Sequence, residues 1–96
     1  MVVTMLEATV DEDEASHLVD SFTASDGSLP SAIVESFLLR EPETNLWRIV
    51  TVWESRDALD GYRTSVDTPG GVLMFRSAGA EPTLAVFGVE AHVSHT

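Results

Sequence analysis

The sequence predicts an α+β fold, in which four antiparallel strands form one sheet and helices pack against a single face of it. Three observations support this prediction. Apolar, β-branched runs alternate with stretches of helical periodicity, the elements follow the order β-α-β-β-α-β with a short extra helix before the last strand, and 96 residues suffice for one small core. This order is that of the ferredoxin-like, split βαβ plan. We therefore expect a single domain over residues 1–96.

The first strand and the first helix follow one another directly. Residues 2–10 (VVTMLEATV) are apolar and β-branched, which is typical of a strand. A helix is predicted next, because four apolar residues recur at helical spacing: Ala15, Leu18, Val19 and Phe22. Asp11, with Glu14 three residues later, has the spacing of a capping box at the start of this helix.

The remaining elements complete the split βαβ order. Strands are predicted at residues 32–40 and 46–54, and the short loop between them favours a hairpin. A second helix is expected to begin after the N-cap residue Ser55, and Pro69 to occupy the first position of a short third helix. The last strand is predicted at residues 83–93.

The third predicted strand carries large apolar side chains on both of its faces. Alternation places one set on the side of the helices: Trp47, Ile49, Thr51 and Trp53. The opposite set would form an apolar patch larger than monomers usually expose, and consists of Leu46, Val50 and Val52. We expect a second copy of the chain to cover this patch, which gives a homodimer through the sheet face. The alternative is that a loop or the C-terminal tail folds over it.

The charge balance and composition exclude several classes of partner. Five arginines, no lysine and 16 acidic residues give a formal net charge of −11, so neither nucleic acid nor an anionic membrane is expected as a partner. Without cysteine there is no disulfide framework and no thiolate metal site. No stretch approaches the roughly 20 apolar residues of a membrane span. The N-terminal residues lack the basic region of a signal peptide, and we expect a cytoplasmic protein.

One segment resembles a known family. Residues 46–66 (LWRIVTVWESRDALDGYRTSV) have a strand that ends in Trp-Glu-Ser and runs straight into a helix with an aromatic residue nine positions after the Trp. Together with residues 27–40 (GSLPSAIVESFLLR), this segment is similar to the antibiotic biosynthesis monooxygenase family. The resemblance implies a dimeric α+β barrel. It also implies an activity from a group that includes cofactor-independent monooxygenases of aromatic polyketides and quinols, and heme-degrading oxygenases.

Only some of the family's functional residues find a match in this chain. The heme-degrading branch would require an Asn on the first strand, a Trp in place of Tyr62 and a His on the third helix, so heme degradation is not expected. In the polyketide-oxidising branch Trp53 matches, whereas Ile49 and Leu59 replace an Asn and a Tyr. The resemblance therefore implies a cofactor-independent monooxygenase for a small aromatic or quinol substrate. The alternatives are a non-catalytic ligand-binding dimer and a heme-binding protein without degradation.

Five residues are candidates for the wall of an aromatic ligand pocket: Trp53, Tyr62, Trp47, Thr51 and Phe75. The alternative is that these side chains simply form a packed core. No catalytic residue is assigned. No metal or cofactor is expected, because the spacing of His92 and His95 lacks a third ligand. Arg63 can reach an anionic substrate or pair at the surface with Asp60 or Asp67, and surface pairing is expected.

Overall fold

The computed structural model describes residues 1–95, which form one four-stranded antiparallel sheet and three α-helices. The strands are β1 (Val2–Thr9), β2 (Ile33–Arg40), β3 (Leu46–Trp53) and β4 (Thr83–Gly88), and the helices are α1 (Ala15–Ala24), α2 (Arg56–Ser65) and α3 (Gly70–Ser77). The strand order in the sheet is β2-β3-β1-β4. This arrangement confirms the predicted ferredoxin-like α+β fold. No helix within residues 1–95 is long and apolar enough to cross a membrane.

The helix starts agree with the sequence at one of three positions. The side chain of Ser55 accepts a hydrogen bond from the Ala58 amide at 3.0 Å, as expected of the N-cap of α2. The prediction of a capping box at Asp11 is wrong. The Asp11 side chain makes no cap hydrogen bond, and a 3₁₀ turn, Glu12–Glu14, precedes α1. Pro69 is the N-cap of α3 rather than its first residue, and it provides no side-chain cap.

The helix-facing side of the sheet is buried in two separate clusters. Along β1 and β3 burial alternates residue by residue, which confirms the predicted faces of β3. The larger cluster joins the sheet to α1 and α3 through Leu6, Trp47, Ile49, Leu18 and Phe75. The smaller cluster joins the sheet to α2 through Val2, Trp53 and Leu59, with Tyr62 packed against it. The core is therefore divided, and the division leaves a space between the clusters.

The opposite face of the sheet is apolar and is not covered by any helix within residues 1–95. Its side chains from the two outer strands are the most exposed, with Phe37 at 45%, Leu39 at 47% and Phe87 at 51%. Glu7 and Arg48, which face each other on β1 and β3, form an ion pair of 2.6 Å on this face. The remainder is mainly hydrocarbon, from Val3, Met5, Val50 and Val52. We call this surface the open face.

Candidate functional site

A cavity of about 280 Å³ lies between the two buried clusters. The sheet forms its floor, and its walls come from α2, the first turn of α3 and the loop at residues 25–32. The lining is mostly apolar and includes Leu6 and Ile49 from the larger cluster, and Trp53 and Leu59 from the smaller one. The cavity is thus the unfilled space where the two clusters fail to meet.

Three of the five predicted pocket residues line this cavity. Trp53, Tyr62 and Thr51 contribute to its wall and floor. Trp47 and Phe75 instead belong to the larger buried cluster, with 6% and 0% of their surface exposed, and neither lines the cavity. Trp47 is four residues from Thr51 along β3, a distance of about 13 Å in an extended strand. It therefore packs at the far end of the sheet, beneath the guanidinium of Arg40.

An aromatic pair forms one wall of the cavity. The rings of Trp53 and Tyr62 have centroids 5.2 Å apart and planes tilted by 41°, a geometry that aromatic side chains favour. The connection is local: β3 ends at Trp53, Ser55 caps α2, and Tyr62 lies two turns into that helix. The Tyr62 hydroxyl accepts a hydrogen bond from the Gly70 amide at 2.9 Å. Tyr62 therefore supplies to α3 the N-terminal acceptor that Pro69 cannot provide.

A row of hydroxyl groups crosses the floor of the cavity. The strand register places Thr4 of β1 opposite Thr51 of β3, and Thr51 opposite Ser36 of β2. The Ser36 and Thr51 hydroxyls are 2.9 Å apart and hydrogen-bonded, while Thr4 accepts a hydrogen bond from the Trp53 indole N–H at 2.9 Å. All three line the cavity. We call this set the hydroxyl row. Of these three residues, only Thr51 is predicted from the sequence as a pocket residue, because the hydroxyl row forms only when three strands pair.

The first turn of α3 lies unusually close to the sheet. A Cβ atom added to Gly71 would be 2.7 Å from the Cδ1 atom of Leu6, which is closer than such atoms approach in proteins. Gly70 and Gly71 both line the cavity. The absence of side chains here therefore lets α3 close the cavity from above while leaving its interior open.

Arg63 also lines the cavity, and its predicted surface pairing is wrong. Asp60 pairs with Arg56 instead, at 3.2 Å. The three other arginines are paired with Glu12, Glu7 and Glu81. Within residues 1–95, Arg63 is the one arginine without a carboxylate partner.

The cavity offers no side chain that can serve as a general base near neutral pH. Among the residues that the structure describes, no His, Asp or Glu lines it. His17 is exposed on α1. The strand β4 ends at Gly88, five residues before its predicted end at Val93, so His92 and His95 lie after the strand. No cluster of three potential metal-binding side chains occurs within residues 1–95. The chemistry available is that of hydroxyl groups, one arginine and three aromatic rings, those of Phe22, Trp53 and Tyr62.

Comparison with known proteins identifies a family that matches most of this chain. A family model described as antibiotic biosynthesis monooxygenase matches residues 1–68, from β1 through α2. No significant match to a curated protein was found. The heme degrader MhuD from Mycobacterium tuberculosis, solved with two hemes bound in its active site, is 21% identical with a TM-score of 0.72, covering 98% of this chain and 100% of its own.

A second solved structure has the same fold. SnoaB, a cofactor-independent oxygenase from Streptomyces nogalater, is 20% identical with a TM-score of 0.68, covering 98% of this chain and 97% of its own. At these identities the structural matches establish the fold alone. The family model, however, spans more than half of the sequence, and the chain belongs to the antibiotic biosynthesis monooxygenase family.

Proposed function

We propose that this protein is a cofactor-independent monooxygenase that acts on a small aromatic or quinol substrate. The observation that carries the proposal is the cavity, which the paired rings of Trp53 and Tyr62 and a row of hydroxyl groups line together. Flat aromatic ligands pack well against such rings, and a few polar groups fix their orientation. The family assignment supports an oxygenase-like role, and the substrate class is our inference from the cavity.

The size of the cavity suits a small ligand. Pockets for small molecules generally measure about 300–1,000 Å³. At about 280 Å³, this cavity lies just below that range. It corresponds to a molecule of a few fused rings, without large substituents.

The proposed reaction requires the substrate to become an anion. A ring methylene next to a carbonyl, or a quinol hydroxyl, loses a proton to water, and the resulting anion passes an electron to O₂. For the methylene, recombination of the radical with superoxide forms a C–O bond, and elimination of water from the hydroperoxide leaves a carbonyl, so that CH₂ and O₂ become C=O and H₂O. For the quinol, recombination takes place at a ring CH next to the ionised oxygen, and loss of water from the hydroperoxide gives a hydroxyquinone, so that quinol and O₂ become hydroxyquinone and H₂O. The protein's part is to orient the ring and to stabilise the anion with hydrogen bonds from Thr4, Thr51 and Tyr62.

Heme does not fit the cavity of this chain. Among residues 1–95, no His or Cys lines the cavity. The hydroxyl of Tyr62, another type of axial ligand, already accepts a hydrogen bond from the Gly70 amide. The strand β1 contains no Asn and α3 contains no His, the residues that the heme-degrading branch would require there.

A second candidate function is ligand binding without catalysis. The observation in its favour is the hydrocarbon of Ile49 and Leu59 in the cavity wall, at the positions where the polyketide-oxidising branch has polar side chains. The two functions differ in a single measurable property, the consumption of oxygen when an aromatic ligand is bound.

The test is oxygen uptake with a panel of anthrones and quinols, measured against the spontaneous oxidation of each compound in buffer. We expect at least one compound to be oxidised faster with the protein, and Trp53→Ala and Tyr62→Phe to lower that rate. Leu73→Ala is the control, because Leu73 lies on α3 with 53% of its surface exposed and does not line the cavity. No uptake above buffer, in a protein that binds the same compounds, would establish the second function instead.

We also propose that two copies associate through the open face. Its most exposed residues, Phe37, Leu39 and Phe87, lie on the two outer strands, so the apolar surface extends across the whole width of the sheet. Surfaces of this kind are commonly interfaces. A two-fold axis parallel to the sheet and lying outside the open face would place the same apolar rows against each other and leave the cavities on the outer sides.

A further inference from the structure

We propose that the cavity selects an aromatic ligand that carries an anionic oxygen group, a carboxylate or an ionised phenol, and that Arg63 recognises this group. The inference rests on the proposed function in that it names the substrate class of the same cavity. The inference goes beyond the proposed function, because a cofactor-independent oxygenase can equally well bind a substrate that is neutral before it reacts. Three features of the structure support it.

The first feature is the distribution of charge. The chain has 16 acidic residues against five arginines. In such a surface an arginine readily finds a carboxylate, and the other four have one within 3.2 Å. Arg63 has none among residues 1–95, although its own helix carries two acidic residues, Asp57 and Asp60. Arg63, which lines the cavity, is therefore the arginine whose charge is available to an external anion.

The second feature is the absence of acidic side chains from the cavity lining within residues 1–95. A ligand anion there meets hydrocarbon, hydroxyl groups and one guanidinium. An ion pair in such surroundings is screened less than one at the open surface, because part of the neighbouring solvent is replaced by apolar side chains.

The third feature is the hydrogen-bond inventory of the hydroxyl groups. Thr4 and Tyr62 each accept one hydrogen bond, from the Trp53 indole and the Gly70 amide, and neither hydroxyl has an acceptor for its own hydrogen within residues 1–95. The pair Ser36 and Thr51 holds two hydroxyl hydrogens and uses one between them. Three donors are thus available in the cavity. Hydroxyl groups can also accept, but a guanidinium can only donate, so the set as a whole favours an acceptor-rich ligand.

The ligand class follows from these features taken together. Its ring lies between the Trp53–Tyr62 wall and the sheet, and its oxygen atoms receive hydrogen bonds from the donors in the cavity. Since Arg63 is exposed while Thr4 and Thr51 are 8% and 7% exposed, the charge of the ligand lies at the opening and its ring lies inside. An aromatic acid or a phenolate has an apolar ring at one end and a negative charge at the other, whereas a neutral hydrocarbon or an amine does not.

The experiment compares two probes of nearly equal shape, 2-naphthoate and its neutral amide, 2-naphthamide. Dissociation constants are measured by calorimetry at low and at high salt, on the full chain and on two variants. Arg63→Gln removes the cavity charge. Arg56→Gln is the matched control, because it removes the same charge from another turn of α2 where the arginine is paired with Asp60 and does not line the cavity.

The expected result is that the unmodified protein binds naphthoate at least about tenfold more tightly than naphthamide, a difference of about 1.4 kcal/mol. Arg63→Gln should reduce this preference to within about twofold, Arg56→Gln should retain it, and added salt should weaken it. Equal affinity for the two probes, equal effects of the two variants, or no binding of naphthoate overturns the inference. Because the readout is binding, the outcome is independent of oxygen uptake: selective binding without turnover refutes the oxygenase alone, and turnover without anion preference refutes the inference alone.

Discussion

Replacing Tyr62 by Phe tests whether one hydroxyl connects the cavity wall to the start of α3. The substitution keeps the ring, and hence its packing on Trp53 at 5.2 Å, and removes only the acceptor of the Gly70 amide. Pro69 provides no side-chain cap, so the amide loses its protein partner at a partly buried helix terminus. Loss of an N-terminal cap typically costs about 1 kcal/mol. For a chain of this size we expect the melting temperature to fall by about 4–8 °C.

The assays are thermal unfolding for the melting temperature and urea unfolding for the free energy, both followed by circular dichroism. Both use one fixed protein concentration, because the proposed dimer would make the midpoint depend on it. An amide NMR spectrum reports on the same bond, since the Gly70 resonance should shift while that of Gly61, earlier in α2, should not. Tyr62→Ala provides the upper limit, because it removes the half-buried ring as well and should cost about 2 kcal/mol more. A Tyr62→Phe protein as stable as the parent, with an unshifted Gly70 amide, would show that the hydroxyl does not cap α3.

Three further predictions concern the packing, the open face and a surface ion pair. Gly61→Ala should stabilise the protein by about 0.5–1 kcal/mol, because nothing lies within 4 Å of the added Cβ atom. Gly71→Ala should destabilise the protein, because its added Cβ atom would be 2.7 Å from the side chain of Leu6. Urea unfolding measures both effects, and two effects of the same sign contradict this prediction. The protein should sediment at twice 10.4 kDa at micromolar concentration and Phe37→Arg at 10.4 kDa, and a monomeric parent refutes the dimer. The hydrogen bond from Arg76 lowers the pKa of Glu81 below its usual 4.5, so the stabilisation from this carboxylate is present above pH 4.5 and is lost as the pH falls through its lowered pKa. The stability difference between parent and Glu81→Gln should therefore shrink on acidification, and a difference that stays constant contradicts the assignment.

The fold was predictable in segments where the spacing of apolar residues along the chain decides the secondary structure. In β3 every second residue from Trp47 to Trp53 is predicted to point inward, and the observed burial alternates accordingly. The error at β4 has a physical cause. Residues 89–93 continue an apolar, β-branched pattern, but β4 pairs with β1, whose first paired residue, Val2, is already opposite Gly88. Beyond that pair a single backbone hydrogen bond follows, from the Val89 amide to the Met1 carbonyl at 3.1 Å, and no further ladder pair forms within residues 1–95, which local propensity cannot reveal.

The candidate site was predictable only in its local part. Trp53 and Tyr62 are nine residues apart across one helix start, so their proximity follows from the sequence. The contact of Thr4 with Trp53 joins residues 49 positions apart and depends on the register of two strands. Trp47 was assigned to the pocket because it shares a face with Trp53. Sharing a face, however, does not fix the position along the strand, and the division of the core into two clusters separates them.

The replacement of polar residues by Ile49 and Leu59 leads to a final prediction about the pH dependence of turnover. Because both line the cavity as hydrocarbon, its side-chain hydrogen-bonding capacity resides in the hydroxyl row, Tyr62 and Arg63. These groups can stabilise a ligand anion but cannot accept its proton near neutral pH. The proton must then leave to water, and the fraction of ionised substrate sets the rate.

Oxygen uptake should therefore rise with pH along the ionisation curve of the substrate, and the midpoint should move when the substrate is exchanged for one of different acidity. Hydrogen bonds to the bound anion should bring each midpoint below the pKa of the free compound, and Tyr62→Phe should reduce that displacement. The measurement is the rate as a function of pH for at least three substituted quinols. A midpoint that stays the same for all of them would identify a titrating group of the protein and refute the assignment of proton loss to water.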